Sequence, residues 1–308
     1  SRVKEDVKDL IAIIDPLLQE EIHRATQLLR DVEKAIEETP GFDRGDATMP
    51  AFYLFMHTIE IADGIRELLR EVCTDAAAPL LRALFEAMLS LRFIVSNINK
   101  TEVAMAWYVN SLKSRRTALA GMDPITKSRM KKASKGLARP ATRDEKMRSK
   151  EIRNELARLS ERIDVDFKAI ADKIKDRNWY TPYGGGANLE QLAANLHFKT
   201  EYTFYRLWSA RIHAVDTDFL LGGSDGGRPI LRGIRDARKL VDYGSLTSTM
   251  LLNCIVTTTE GYCPKIRKEI GDWYVNNAKA RHDRLRKLEI EITTTAPIRK
   301  VALRRVRP

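Results

Sequence analysis

Apolar residues recur at three- and four-residue intervals along almost the whole chain. Between residues 3 and 38 the positions Val7, Leu10, Ile11, Ile14, Leu17 and Leu18 set this period, the spacing that lines one face of an α-helix. Pro16 falls inside the pattern, where a kink or break is expected because proline lacks an N–H and crowds the preceding turn. The stretch ETPGFDRGDATMP ends the segment. A second helix is expected over about Pro50–Val72, with Pro50 in its first turn and Phe55, Ile59, Ala62 and Leu69 as its stripe.

The segment TDAAAPLLRALFEAMLSLRFIVSNI follows, with Thr74 or Asp75 able to cap it and Pro79 suited to its opening turn. It is apolar almost all round, which marks a central core helix. Arg82, Glu86 and Arg92 interrupt it. Arg82 and Glu86 stand four apart and can pair on one face, as a structural ion pair or in support of a polar site. TEVAMAWYVNSLKSRRTALAG reads as a fourth helix, then a basic connection runs from Met122 to about Ala141.

A long helix is expected over Arg143–Lys175, with Ile152, Leu156, Leu159, Ile163 and Phe167 on one side. The loop WYTPYGGGAN follows it; its consecutive glycines predict a flexible turn, and it lacks the GK[ST] ending of a phosphate-binding loop. Asn188 can cap the short helix LEQLAANL, with Gln191 placed as in a capping box. Further helices are expected at about Thr200–Val215, Asp236–Tyr262 and Pro264–Leu288, with the glycine-rich loop GGSDGGRP after the first of them. The closing LEIEITTTAPIRKVALRRV alternates in polarity and is rich in Thr, Ile and Val, which favours a small β-hairpin or an extended tail.

The expected fold is therefore all-α, a multi-helix bundle with a small C-terminal β element or tail. Three parts are expected. Residues 1–48 form an N-terminal helical segment, and 49–262 a helical core with a basic insertion near 113–153. Residues 263–308 form a C-terminal helix and basic tail.

Composition narrows the class. The 308 residues are 44% hydrophobic and 31% charged, enough apolar surface for a real core. No apolar run reaches membrane-spanning length, so a cytoplasmic location without membrane partners is expected. Cys73, Cys254 and Cys263 are scattered and lack metal-ligand spacing, which reads as reduced thiols. The net charge of +11 is unevenly spread. Between Lys113 and Arg153 fourteen Lys or Arg stand against four acids. Arg115, Arg116, Lys127, Arg129, Lys131, Lys132 and Lys135 are the candidate nucleic-acid contacts, because clustered positive charge attracts polyphosphate whatever its base sequence. A solvated helix face is the plainer reading of the same residues.

The chemistry concentrates in YRLWSARIHA, Tyr205 to Ala214. At 100° per residue Tyr205, Ser209 and His213 drift along one stripe, and Arg206 lies two turns before His213, nearly eclipsed with it. This can be a structural polar seam, or it can be a site. His23, His57, His197 and His282 are dispersed, with no HExxH or other metal-ligand spacing, so no metal or cofactor is expected.

Tyr205-x3-Ser209-x3-His213 and the upstream LLRALFEAMLSL, with Arg82 and Glu86, resemble the signature of a bacterial domain-of-unknown-function family, the one numbered fifty-six seventy-seven. Trp179 and Tyr202 also fall where that family has them, and the resemblance covers roughly Phe52 to Tyr262. The helix is also similar to the HEPN ribonuclease motif, an arginine followed at a short helical interval by a histidine. Arg206-x6-His213 has the longest interval that motif allows, and it departs from the pattern at Leu207, where a polar residue is usual.

The resemblance implies metal-independent RNA cleavage. His213 would act as general base or acid, since an imidazole titrates near neutrality. Arg206 would hold the scissile phosphate and stabilise the transition state, with Tyr205 and Ser209 supporting. It further implies a homodimer that pairs two such helices, a protein partner in a defence complex, and an effector role in bacterial antiphage defence. Two other classes stay open: a non-catalytic nucleic-acid or protein-binding module, and a nucleotide-sensing subunit using the same pocket.

Overall fold

The computed structural model of the protein describes residues 2–38, 49–123, 142–212, 221–225, 228–231 and 239–295. Helices dominate it, as the periodicity predicts. The chain divides into two units, one from Ser1–Ala35, Phe55–Met88 and Thr203–Pro308, the other from Ile36–Leu54 and Leu89–Tyr202.

In the first unit, α1 (Arg2–Glu38) stays helical through Pro16. Proline there removes one intrahelical hydrogen bond, but Leu17 and Leu18 immediately after it are fully buried. The burial of that face outweighs the lost bond, and the expected break does not occur. From α2 (Met49–Arg70), Ile65 and Leu69 enter the same core, and Arg66 Nε donates to Asp15 Oδ1 of α1 at 2.7 Å. From α3 (Thr74–Ser96), Leu81, Leu84 and Phe85 are sealed.

Farther along the chain come α8 (Lys199–Ile212) and α9 (Leu240–Tyr262). A single-turn 3₁₀ helix, α10 (Arg267–Trp273), a π segment (Tyr274–Ala278) and α11 (Lys279–Thr295) complete this unit. Gly244 of α9 marks a close approach: a Cβ built there would lie 2.9 Å from Ile14 Cγ2 and 3.1 Å from its Cγ1. Ile14 is β-branched and buried, so it cannot swing aside. Gly244→Val is expected to destabilise by about 1–3 kcal/mol through overpacking, read as a lower urea midpoint with the slope unchanged.

Two expectations for this unit are corrected. GGSDGGRP is not simply a loop: Leu221–Asp225 (β1) pairs antiparallel with Arg228–Leu231 (β2). The β-rich reading of the C-terminus fails over LEIEITTT, which ends α11 as helix. A helix already under way adds one hydrogen bond per residue, and this outweighs the weak strand preference of Ile and Thr. Residues 296–308 lie outside the described residues.

In the second unit, α4 (Lys100–Met122) and α5 (Arg143–Glu161) pack together. Val103, Ala106, Val109 and Leu112 of α4 are buried, as are Ile152 and Leu159 of α5. Thr142 opens α5 with a reciprocal capping box, its hydroxyl accepting from Glu145 N while Glu145 Oε2 accepts from Thr142 N. The single long helix expected to Lys175 is interrupted. A π segment at Arg162–Asp166 precedes α6 (Lys168–Lys173). There the Arg162 guanidinium lies 5.4 Å from the Tyr108 ring centre and 5.8 Å from that of Phe167.

Asn188 caps α7 (Leu189–Asn195) by accepting from Gln191 N. Gln191 Oε1 reaches back to Ala187 N instead of Asn188, so the box is displaced by one residue. The glycines before it are held, not slack. Gly184 and Gly186 adopt positive φ, and Thr181 Oγ1 donates to Gly186 O at 2.7 Å. A Cβ on Gly186 would also meet Gln191 Cβ at 2.6 Å. No helix among the described residues is long and apolar enough to cross a membrane.

Candidate functional site

The α8 sequence sorts its residues by direction. Tyr205 and Trp208 are buried, Ser209 is half-buried, and Phe204, Arg206 and Leu207 are exposed. The Tyr205–Ser209 strip meets the charged pair that interrupts α3. Arg82 Nε donates to Glu86 Oε1 at 3.0 Å, and Tyr205 Oη donates to the same oxygen at 2.8 Å. Arg82 Nη1 donates to Ser209 Oγ at 3.2 Å. The guanidinium carbon lies 5.0 Å from the Tyr205 ring centre, and Phe85 supports that ring from the core at 5.8 Å. Arg82 and Glu86 are thus an ion pair and also the anchor of the α8 polar strip.

Electrostatics follow from this packing. Burial and the bond to Glu86 push the Tyr205 phenol up to about 12, so near neutrality it remains a donor. Burial works most strongly against the Arg82 charge, but the hydrogen bond and charge of Glu86 together with Tyr205 outweigh it and raise that group's proton affinity. The cluster therefore holds a permanent cation, an acceptor carboxylate and two hydroxyls. It can bind an anion and orient it.

Arg206 is exposed one turn before Ser209, a neighbour on the helix surface by its three-residue spacing. Leu207 is also solvent-facing, at 51% exposure, so the departure from the HEPN pattern sits on the surface. His213 lies outside the described residues, as do Lys127, Arg129, Lys131, Lys132 and Lys135. Arg115 and Arg116 are on α4 in the second unit. Arg115 Nη2 donates to Glu155 Oε1 at 2.8 Å, and Arg116 Nη1 to Asp164 Oδ2 at 3.1 Å. Arg153 lies 3.8 Å from Asp123 Oδ2. Part of the basic segment is thereby neutralised locally.

A second polar cluster escaped notice in the sequence. Glu21 of α1 and Ser248 of α9 are both fully buried. Ser248 Oγ donates to Glu21 Oε1 at 2.7 Å and lies 3.2 Å from His282 Nδ1 of α11. Glu21 Oε2 is buried with no partner among the described residues. Burial pushes the Glu21 carboxyl up to about 8, against a smaller lowering by Ser248. The signal was present: Glu21 continues the Leu17–Leu18 stripe to Ala25 and Leu28 at helical spacing.

Among the described residues no three His, Cys, Asp or Glu side chains gather as a metal site. Cys254 is buried, which pushes its thiol up to about 12; Cys263 is also buried, and Cys73 half-buried.

The profile of a family described as "Family of unknown function (DUF5677)" matches residues 48–228. That stretch includes α2, α3, α8 and β1, ends at the first residue of β2, and stops short of α9. No curated protein and no solved structure matches the chain.

Proposed function

The chain belongs to DUF5677, a family of unknown function, and from that premise we propose that it is a HEPN-like, RNA-acting protein. In this reading it is a metal-independent endoribonuclease of bacterial antiphage defence, working in the cytoplasm. The observation that carries the reading is the anchoring of the Tyr205–Ser209 strip on Arg82 and Glu86, with Arg206 exposed beside it. That arrangement offers cations and a hydroxyl to a phosphate group.

His213 follows Ser209 by one helical turn in sequence and serves as general base on a ribose 2′-hydroxyl or as acid toward the leaving 5′-oxygen. Arg206 faces the scissile phosphate and offsets the charge that develops on it. Other lysines and arginines of the 113–153 segment add polyanion attraction. A homodimer pairing two α8 helices, and a protein partner in a defence complex, complete the proposal.

His213→Ala should reduce cleavage of a mixed RNA pool, assayed with EDTA present, by at least about 100-fold, with the circular dichroism spectrum and melting temperature unchanged. Equal cleavage by the variant and the parent would sink the ribonuclease reading.

One observation favours a second reading. The Tyr205 hydroxyl is already spent on Glu86, as befits a structural seam in a binding module. That module would bind RNA in a salt-sensitive way that survives His213→Ala and weakens when Lys131, Lys132 and Lys135 are neutralised.

A further inference from the structure

Resting on the reading of α8 as a phosphate-handling helix, the geometry points to Arg82 and Ser209 as its anion-binding donor pair. The ligand group is a phosphate, supplied by an RNA backbone or by a free nucleotide. The resemblance to the HEPN motif implies Arg206 for that role. The structure instead gives Arg82, from a different helix, the preorganised position.

Three features make Arg82 a prepared ligand-binding group. Its Nε is held by Glu86 at 3.0 Å and its plane is backed by the Tyr205 ring at 5.0 Å. An arginine so fixed loses little side-chain entropy when it binds. Its charge is incompletely offset, since Glu86 Oε1 also accepts from Tyr205 and the Glu86 side chain is 43% exposed. Arg82 is itself 28% exposed, so solvent and a small anion can reach it.

Ser209 completes the pair by hydrogen-bond polarity. Its oxygen accepts from Arg82 Nη1 at 3.2 Å. The serine's own O–H is then left to donate, and among the described residues no acceptor takes it. The fork of an arginine also carries more N–H donors than its bonds to Glu86 and Ser209 use. A guanidinium and a hydroxyl donor placed side by side match two oxygens of one phosphate group. Tyr205 cannot serve in the same way, because its proton goes to Glu86. Glu86 and Tyr205 are positioning residues, and Arg206 flanks the pair from the solvent side.

The test uses the full chain and three probes: inorganic phosphate, AMP, and a fluorescein-labelled single-stranded RNA. Affinity is read by calorimetry for the first two and by anisotropy at fixed ionic strength for the third. Arg82→Gln should weaken phosphate and RNA binding by at least about tenfold, the loss of a charge-assisted hydrogen bond. Ser209→Ala, a small trim that tests the pair if Arg82→Gln folds poorly, should weaken both by several-fold. Tyr205→Phe and Arg206→Gln should each change phosphate affinity less than Ser209→Ala does.

Parent protein that binds none of the probes would overturn the assignment. So would unchanged affinity in both folded Arg82→Gln and Ser209→Ala, or a larger phosphate loss in Arg206→Gln than in Arg82→Gln. AMP binding without RNA binding identifies a free nucleotide as the phosphate source and supports the pair. RNA cleavage is assayed on the same samples. A parent that binds through Arg82 and Ser209 but cleaves nothing supports the pair while removing the ribonuclease reading.

Discussion

Glu21→Gln should abolish most of a stability loss that the parent protein suffers as the pH rises from 4.5 to about 8. In the unfolded chain this carboxyl releases its proton near its ordinary value of 4.5, whereas burial in the fold delays release to about 8. Between those values the folded state holds more protons than the unfolded state, so raising the pH favours unfolding. The contribution is fully present below about pH 4.5 and is lost by about pH 8. At ~1.4 kcal/mol per unit of displacement, the loss is on the order of 5 kcal/mol.

The side-chain amide introduced by Glu21→Gln keeps an oxygen that can accept from Ser248 and carries no charge to desolvate. Urea denaturation of both proteins at pH 5 and pH 9 checks this: the parent should lose stability between them, and the variant should lose far less. Equal losses would show that Glu21 is hydrated in solution and that α1, α9 and α11 do not seal it.

Phe85→Ala carries the second large effect, about 3–5 kcal/mol of destabilisation from lost burial and the cavity left behind. Phe85 is among the largest fully buried side chains, and its ring lies 5.8 Å from that of Tyr205. Removing it therefore loosens the support behind the α8 strip as well as the core. Phe85→Leu should recover most of the stability, because it keeps most of the apolar volume. Denaturant midpoints rank the three proteins. If Phe85→Ala costs less than about 1 kcal/mol, the region collapses around the deletion and the core is less rigid than its packing implies.

Local chemistry made several elements legible. The stripe of α1 was visible as Ile14, Leu17 and Leu18, and the Asn188 cap followed from the residue types and their spacing. Where the sequence reading failed, a longer-range or cooperative term prevailed. Pro16 is a local helix breaker, yet α1 continues because the residues around it are buried by other helices. The terminal LEIEITTT has strand-like composition, yet it extends a helix already under way. The break at Arg162–Asp166 left no proline or glycine to announce it.

The candidate site divides in the same way. Periodicity along one helix was sufficient to place Tyr205 and Ser209 on a common strip, because helical geometry relates residues four apart without any knowledge of the fold. The pairing of Arg82 with Glu86 followed from the same rule on α3. Only the tertiary structure decided that these two strips meet. Arg82 and Ser209 are 127 positions apart, and Ser248 and Glu21 are 227 apart; no local period reports contacts at that separation. Sequence determined which faces are polar. Helix packing decided which polar faces are brought together and which carboxylate must give up its charge to be buried.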